Sequence, residues 1–182
     1  MTALLQGLQP LIGPSTRLLV LGSFPGVASL QAQQYYGHQR NHFWPLLGAL
    51  WQVDLKALPY AERTAWLLDH GLGLWDVYAA CRREGSLDTA IRDAEFNDLA
   101  GLRRRAPALA AIAHNGGESA RGLRFTGALG LPVFKLPSSS PANASWSFDR
   151  KLTAWRAAAV GAGLKLPDGP SALSSSGEKT QP

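Results

Sequence analysis

The chain has 182 residues, 46% of them hydrophobic and 17% charged, with a formal net charge of +5. That length suits one domain with a full buried core, and the composition excludes a disordered protein over most of its span. The positive charge leans towards a polyanionic partner, because lysine and arginine gain by releasing counterions from phosphates, while the single cysteine, Cys81, excludes an internal disulfide and a cysteine-held iron–sulfur cluster and points to a reducing, cytoplasmic setting.

In chain order, residues 4–12 are apolar but lack a basic start and are broken by Gly7 and Pro10. They do not read as a signal peptide, and no later segment is long and apolar enough to span a bilayer. Residues 17–21 read as a first strand that stops in the tight turn Gly22, Ser23, Phe24, Pro25, Gly26. A cluster of aromatics, histidines and one asparagine follows at 35–44. The spacing of Phe43, Leu46, Leu47 and Leu50 predicts a helix over 41–51, with Asn41 as its N-cap and Pro45 tolerated in the first turn. A second helix is predicted over 61–70, preceded by Pro59 and closed by Gly71, and a short strand over 72–77. Residues 98–105 read as helical, 108–113 as a strand reaching Asn115, and 118–125 as a short helix. A last strand over 132–136 delivers the loop Pro137, Ser138, Ser139, Ser140, Pro141, Ala142, Asn143, after which Phe148, Leu152, Trp155 and Ala159 recur at helical spacing.

Strands alternating with helices predict an α/β domain whose parallel sheet is covered on both faces. Three of the strands end in small or polar residues: Gly22 and Ser23, Asn115 and Gly116, and Pro137 to Ser139. In a parallel sheet those ends share one edge, where open α/β sheets bind ligands. Residues 1–166 are read as a single domain and 167–182, rich in proline, serine and glycine, as a disordered tail. The four histidines and one cysteine show no metal-ligand spacing, so neither a metal nor another cofactor is expected, and one such chain needs no second subunit.

At these residues the chain resembles the uracil-DNA glycosylase superfamily. Gly22 to Gly26 match the superfamily's G-x-x-P turn after the first strand. Tyr36, four further residues, then Asn41, His42, Phe43 and Trp44 repeat the aromatic-to-N-x-F-W spacing of its mismatch-specific branch. The loop from Ser138 to Asn143 stands where the superfamily carries a Ser/Pro-rich segment inserted into DNA. The hypoxanthine-DNA glycosylase branch is the most similar, also in Gly73 to Val77, in Gly85 to Asp88 and in the Ser-Pro-Ala-Asn loop. The resemblance implies a three-layer αβα fold with a central, mostly parallel four-stranded sheet. It implies a monofunctional DNA glycosylase acting in base excision repair on a deaminated base such as hypoxanthine, with damaged DNA as its partner. Uracil-removing branches place Asp or Asn at the third position of the first turn to orient the attacking water; here that position is Phe24. The hypoxanthine branch also lacks that residue, and the resemblance makes Asn41 the essential asparagine.

Breaking an N-glycosidic bond leaves positive charge on the sugar and negative charge on the base, so the base must be flipped out, held flat and stabilised as it departs. Tyr36 is the candidate stacking wall, with Phe24 as an opposite wall and Gly22 and Ser23 as close-approaching backbone. Asn41 is the candidate for positioning water, and Asn115 for reading the base edge through its amide. His38 and His42 are candidate donors to a leaving purine. Arg40, Ser138, Ser139, Ser140 and Asn143 are candidate DNA contacts, with Pro141 and Ala142 as a wedge; Asp76 and Asp88 are read as structural anchors. The competing reading is a non-catalytic DNA- or nucleotide-binding module on the same fold, which Phe24 favours.

Overall fold

An apolar strand with no polar face is stable only where both faces are covered. Leu18–Gly22 is buried at every position, as are Leu72–Asp76 and Ala111–Asn115. The computed structural model describes residues 3–168. Its elements, in order, are β1 (Leu4–Gln6), β2 (Leu18–Gly22), α1 (Val27–Ala32), α2 (Phe43–Trp51), α3 (Tyr60–Asp69), β3 (Leu72–Asp76), β4 (Tyr78–Arg82), β5 (Arg92–Phe96), α4 (Leu102–Arg105), β6 (Ala111–Asn115), α5 (Leu123–Thr126), β7 (Val133–Leu136) and α6 (Phe148–Gly161).

The strands β3-β2-β6-β7 form one sheet in that order, and all its pairings are parallel. The register sets Gly22 opposite Asp76, Leu21 opposite His114, and Asn115 opposite Leu136. The carboxyl ends of all four strands therefore share one edge, as the sequence predicts.

Alternate residues face opposite layers. Leu18, Val20, Leu72, Leu74, Ala111 and Ala113 pack under α2, α3 and α6, against Phe43, Leu47, Leu67 and Trp155. Leu19, Leu21, Trp75 and Ile112 face the other way, onto Leu102, Tyr78, Cys81 and Phe125. Each leucine, isoleucine or phenylalanine among them contributes about 1.5–3 kcal/mol by leaving water. The second layer is only partly helical: it shares its space with an antiparallel sheet of order β1-β4-β5. That sheet is not legible in the sequence; Arg92–Phe96 is largely exposed and its pairing with β4 is broken by register shifts.

Several boundaries differ from the expectation. Helix α2 begins at Phe43, and its N-cap, His42, makes no side-chain cap bond. Asn41 lies one residue outside, where its Oδ1 accepts the Phe43 N–H at 2.9 Å. Of 98–105 only Leu102–Arg105 is helical, because Asp98 Oδ1 caps the Gly101 N–H at 3.0 Å in the turn before it. The segment 118–125 splits into a 3₁₀ turn, Ser119–Gly122, and α5. Helix α1 has no counterpart among the expected elements. Of the expected tail 167–182, residues 169–182 lie outside the described part of the chain.

Candidate active site

The edge is organised around a glycine. A Cβ on Gly22 would collide with Asp76 Oδ1 on the neighbouring strand and stand 3.5 Å from the Tyr36 hydroxyl. Gly22 is thus what allows a carboxyl and a phenol to share the space above the end of β2. Asp76 is 5% exposed, and its Oδ2 has no hydrogen-bond partner among the described residues. Burial, reinforced by the charge of Asp88 and opposed by that of Arg83, pushes its carboxyl up to about 7. Burial also raises the Tyr36 hydroxyl, so it is neutral at physiological pH.

Tyr36 adopts φ 54°, a left-handed conformation that costs a non-glycine residue of order 1 kcal/mol and clusters at functional sites. Its ring stacks on Phe43 at 3.9 Å and 15°. Its hydroxyl accepts from Asn115 Nδ2 at 3.2 Å. The other contacts of Asn115 go to Ser139: Nδ2 donates to the hydroxyl at 2.8 Å, and Oδ1 accepts the Ser139 N–H at 2.8 Å. The Ser139 carbonyl in turn accepts the His42 N–H at 2.9 Å. Ser139 is 0% exposed. This one buried serine joins the end of β6, the loop after β7 and the turn that carries Asn41.

Asn41 is half-buried, and with Oδ1 held by Phe43 its Nδ2 makes no hydrogen bond among the described residues. It lines a cavity of about 620 Å³ with Arg40, His42, Lys56, Pro141 and Asn143 among its neighbours. Tyr36 is not part of that cavity wall; the link between the two residues runs through Phe43, which bonds Asn41 and stacks on Tyr36. Beyond β7 the loop stiffens itself. Ser138 Oγ accepts the Ser140 N–H at 3.2 Å, Ser140 Oγ accepts the Ala142 N–H at 3.2 Å, and Asn143 Nδ2 donates to the Ser138 carbonyl at 3.2 Å. Pro141 and Ala142 are left exposed at its tip.

This arrangement of a glycine turn, a strained aromatic and a rigid loop at one sheet edge accords with what the chain is similar to. The sequence profile of the uracil DNA glycosylase superfamily matches residues 9–159. The chain belongs to the uracil DNA glycosylase superfamily. It is 42% identical over 138 residues, 76% of its own length and 87% of the relative's, to a hypoxanthine DNA glycosylase of Methanosarcina barkeri. It is 37% identical over 152 residues, 84% of its length and 96% of the relative's, to a hypoxanthine DNA glycosylase of Methanosarcina acetivorans. A solution NMR structure from Methanosarcina acetivorans, of a protein proposed to be a uracil DNA glycosylase, superposes with a TM-score of 0.77 at 34% identity. That superposition covers 86% of this chain and 99% of the other.

Within this superfamily member the expected site residues divide. Gly22, Tyr36, Asn115 and Ser139 come together at the edge, with Asn41 joined to them through Phe43. Arg40, Pro141 and Ala142 are exposed, and Ser138, Ser140 and Asn143 half-buried. Phe24 does not face Tyr36 as an opposite wall: it is 6% exposed, in the core cluster on the other side of the sheet, under the Arg83 guanidinium at 5.2 Å. Ser23 donates to Asp88 Oδ1 at 2.6 Å, which anchors the turn rather than freeing its hydroxyl. Ser139 is buried and its N–H and hydroxyl are engaged, so it shapes the loop instead of reaching a phosphate. Asn115 has both amide ends engaged in the same way.

Two residues acquire roles that sequence reasoning missed. Asp76 is the unpaired carboxyl of the site; the available signal was an acidic residue closing an otherwise apolar buried strand, in register with Gly22. His114 is the other. Its ring lies 2.9 Å from both Ser119 Oγ and Thr126 Oγ1, and burial pulls its pKa down to about 4. It is a neutral brace beneath the edge, and Ser119 passes the contact on to the Leu21 carbonyl at 2.6 Å.

Proposed function

We propose that the chain is a monofunctional DNA glycosylase that removes a deaminated base, hypoxanthine, from DNA by hydrolysing its N-glycosidic bond. Two relatives of that name, each aligned over most of both chains, support the substrate. The observation that carries the chemistry is the Asp76 carboxyl, raised to about 7 and unpaired at Oδ2, beside the Tyr36 hydroxyl above Gly22.

In this reading the exposed Pro141 and Ala142 part the stack and the purine swings out against the Tyr36 face that Phe43 leaves free. As the bond between C1′ and N9 breaks, the base gains negative charge. Protonated Asp76 donates to the purine's imidazole-ring nitrogen N7, so the base leaves neutral. Asn41, its oxygen fixed by Phe43, holds a water at C1′ of the cation-like sugar. That water adds, and its proton restores Asp76. Near neutral pH such an acid is poised between its two forms, the condition in which general acid catalysis is most effective. The water-orienting residue that Phe24 displaces is thereby not needed in the first turn.

Damaged DNA is the partner this reading requires, and the single chain, acting as a monomer, supplies every residue it uses. A reducing, cytoplasmic location accords with Cys81 being free and buried, and no helix among the described residues is long and apolar enough to cross a membrane. Single-turnover base release from duplexes containing hypoxanthine, xanthine or uracil tests the proposal. Release of hypoxanthine is expected. Tight binding to an abasic analogue with no release from any of the three would instead establish a non-catalytic binding module.

A further inference from the structure

The loop after β7 rests on a lysine that has no ion-pair partner among the described residues. Lys151, on α6, is 0% exposed. Its Nζ donates to the Asn143 carbonyl at 3.1 Å and lies 3.5 Å from His42 Nδ1. Among the described residues no carboxylate forms an ion pair with it. Buried charges are ordinarily paired, because removing an ammonium from water costs several kcal/mol. Lys151 is therefore a buried cation with no counter-ion among the described residues.

The space in front of Lys151 is cationic as well. The cavity of about 620 Å³ is lined by His42 and Asn143, the two partners of Lys151, and its charged lining residues are Arg40 and Lys56, with no acidic side chain. Lys56 Nζ donates to the Gln39 carbonyl at 3.0 Å, which holds it over the turn that carries Arg40 and Asn41. Phe148 meets the His42 ring edge-on at 5.5 Å and fixes its plane. An ammonium can only donate, so its contact makes His42 Nδ1 an acceptor and places the ring proton on Nε2. Burial and the Lys151 charge both lower the affinity of the imidazole for a second proton. His42 is thus a neutral ring with one N–H, backed by a positive charge.

We propose that this cavity binds a backbone phosphate of the DNA strand next to the flipped nucleotide, with the His42 Nε2–H as donor, Lys151 as the counter-charge behind it, and Lys56 and Arg40 at the mouth. The proposal rests on the DNA glycosylase reading and names its backbone contact. A phosphate fits because Pro141, at the exposed loop tip, is itself part of the wall, so the strand the loop parts runs past this opening. His42 directly follows Asn41 in the chain. Holding the phosphate there fixes the strand relative to the amide that positions water, which makes Lys151 a positioning residue acting through His42.

Equilibrium binding to a duplex carrying a tetrahydrofuran abasic analogue, over about 50 to 200 mM salt, measures the contact without any base release. Lys56→Gln and Lys151→Met are each expected to lower the steepness of log K against log salt by about 1. Lys151→Arg, which keeps the charge, is expected to retain the wild-type slope. Wild-type slopes in both Lys56→Gln and Lys151→Met would overturn the proposal. Should Lys151→Met not fold, nitrogen NMR of the His42 ring in the unaltered protein decides: the proposal requires the Nε2–H tautomer and a shift of that nitrogen when the abasic duplex is added. An Nδ1–H tautomer, or a signal that the duplex leaves in place, refutes it. None of these readouts depends on hypoxanthine being excised, so failure of the proposed substrate and failure of the phosphate site are separable.

Discussion

Asp76→Asn separates catalysis from stability, because the two should move in opposite directions. The folded protein raises this carboxyl from its ordinary 3.8 to about 7, chiefly by burial, with Asp88 adding to the rise and Arg83 opposing it. Folding then takes up a proton between those two values, so stability falls as pH rises from about 4 to about 7 and stays level above. The whole rise corresponds to about 4 kcal/mol lost at pH 8 relative to a carboxyl that stays neutral. Asparagine keeps the shape without the charge, but its amide also lacks a partner at that position, which returns about 1–3 kcal/mol of the gain. Urea unfolding should find Asp76→Asn more stable than the native chain by about 1–3 kcal/mol at pH 8, with the difference shrinking below pH 7 and changing sign by pH 4, where the native carboxyl is neutral and only the cost of the unpartnered amide remains. Single-turnover release should show the reverse: a rate that falls as pH rises through about 7 in the native protein, and in the variant a flat profile lowered by about 10²- to 10⁴-fold. A variant that excises hypoxanthine at the native rate with the native pH profile would refute the role given to Asp76, whatever its stability.

Three further substitutions probe the rest of the edge. Asn41→Ala removes both the amide proposed to position water and the acceptor of the Phe43 N–H, and should lower single-turnover release about 10²-fold or more while costing about 0.5–2 kcal/mol in unfolding experiments. Ser139→Ala leaves Asn115 Nδ2 without its 2.8 Å acceptor in a buried position, so a loss of about 1–3 kcal/mol is expected, together with weaker binding to an abasic duplex as the loop loosens. Gly22→Ala drives a Cβ into Asp76 Oδ1; the protein should express and fold with a destabilisation of about 1–3 kcal/mol, and hypoxanthine release should fail even where circular dichroism is native.

The parallel sheet was legible because its strands are short apolar runs ending in turn residues, a pattern that burial on both faces imposes. Leu18–Gly22 and Ala111–Asn115 are of that kind, and with their ends the common edge was legible too. The antiparallel sheet was not, because Arg92–Phe96 carries an arginine and two acids at exposed positions and its pairing with Tyr78–Arg82 is irregular. Tyr36 and Asn41 stood out in the sequence through the spacing they share with the glycosylase branch that the chain resembles. That Phe43 joins them was not, since the stack depends on the left-handed backbone at Tyr36. Ser139 looked like one of three equivalent loop serines; only its burial between Asn115 and His42 distinguishes it. Asp76 was visible as a residue but not as a charge: whether a strand-end carboxylate is anchored or unpaired depends on what the other strands bring beside it.

Phe24 and Asp76 are best understood together. The third position of the first turn points, in this chain, into the core on the face opposite Tyr36, where an aromatic ring supports the Arg83 guanidinium. Arg83 is buried, its Nε and Nη1 have no hydrogen-bond partner among the described residues, and it forms no ion pair with Asp76. An aspartate at position 24 would supply Arg83 with a direct partner and would lie on the far side of the sheet from the stacking ring. Moving the acid one strand over, to the residue in register with Gly22, places it beside the Tyr36 hydroxyl instead. There desolvation outweighs the distant arginine, and the carboxyl retains its proton near neutral pH. A carboxylate that orients water and a carboxylic acid that protonates a purine need opposite charge states, and the two strand ends provide opposite environments. On this view Phe24 is the apolar support that holds Arg83 in place, leaving the protonated carboxyl on the neighbouring strand free for chemistry.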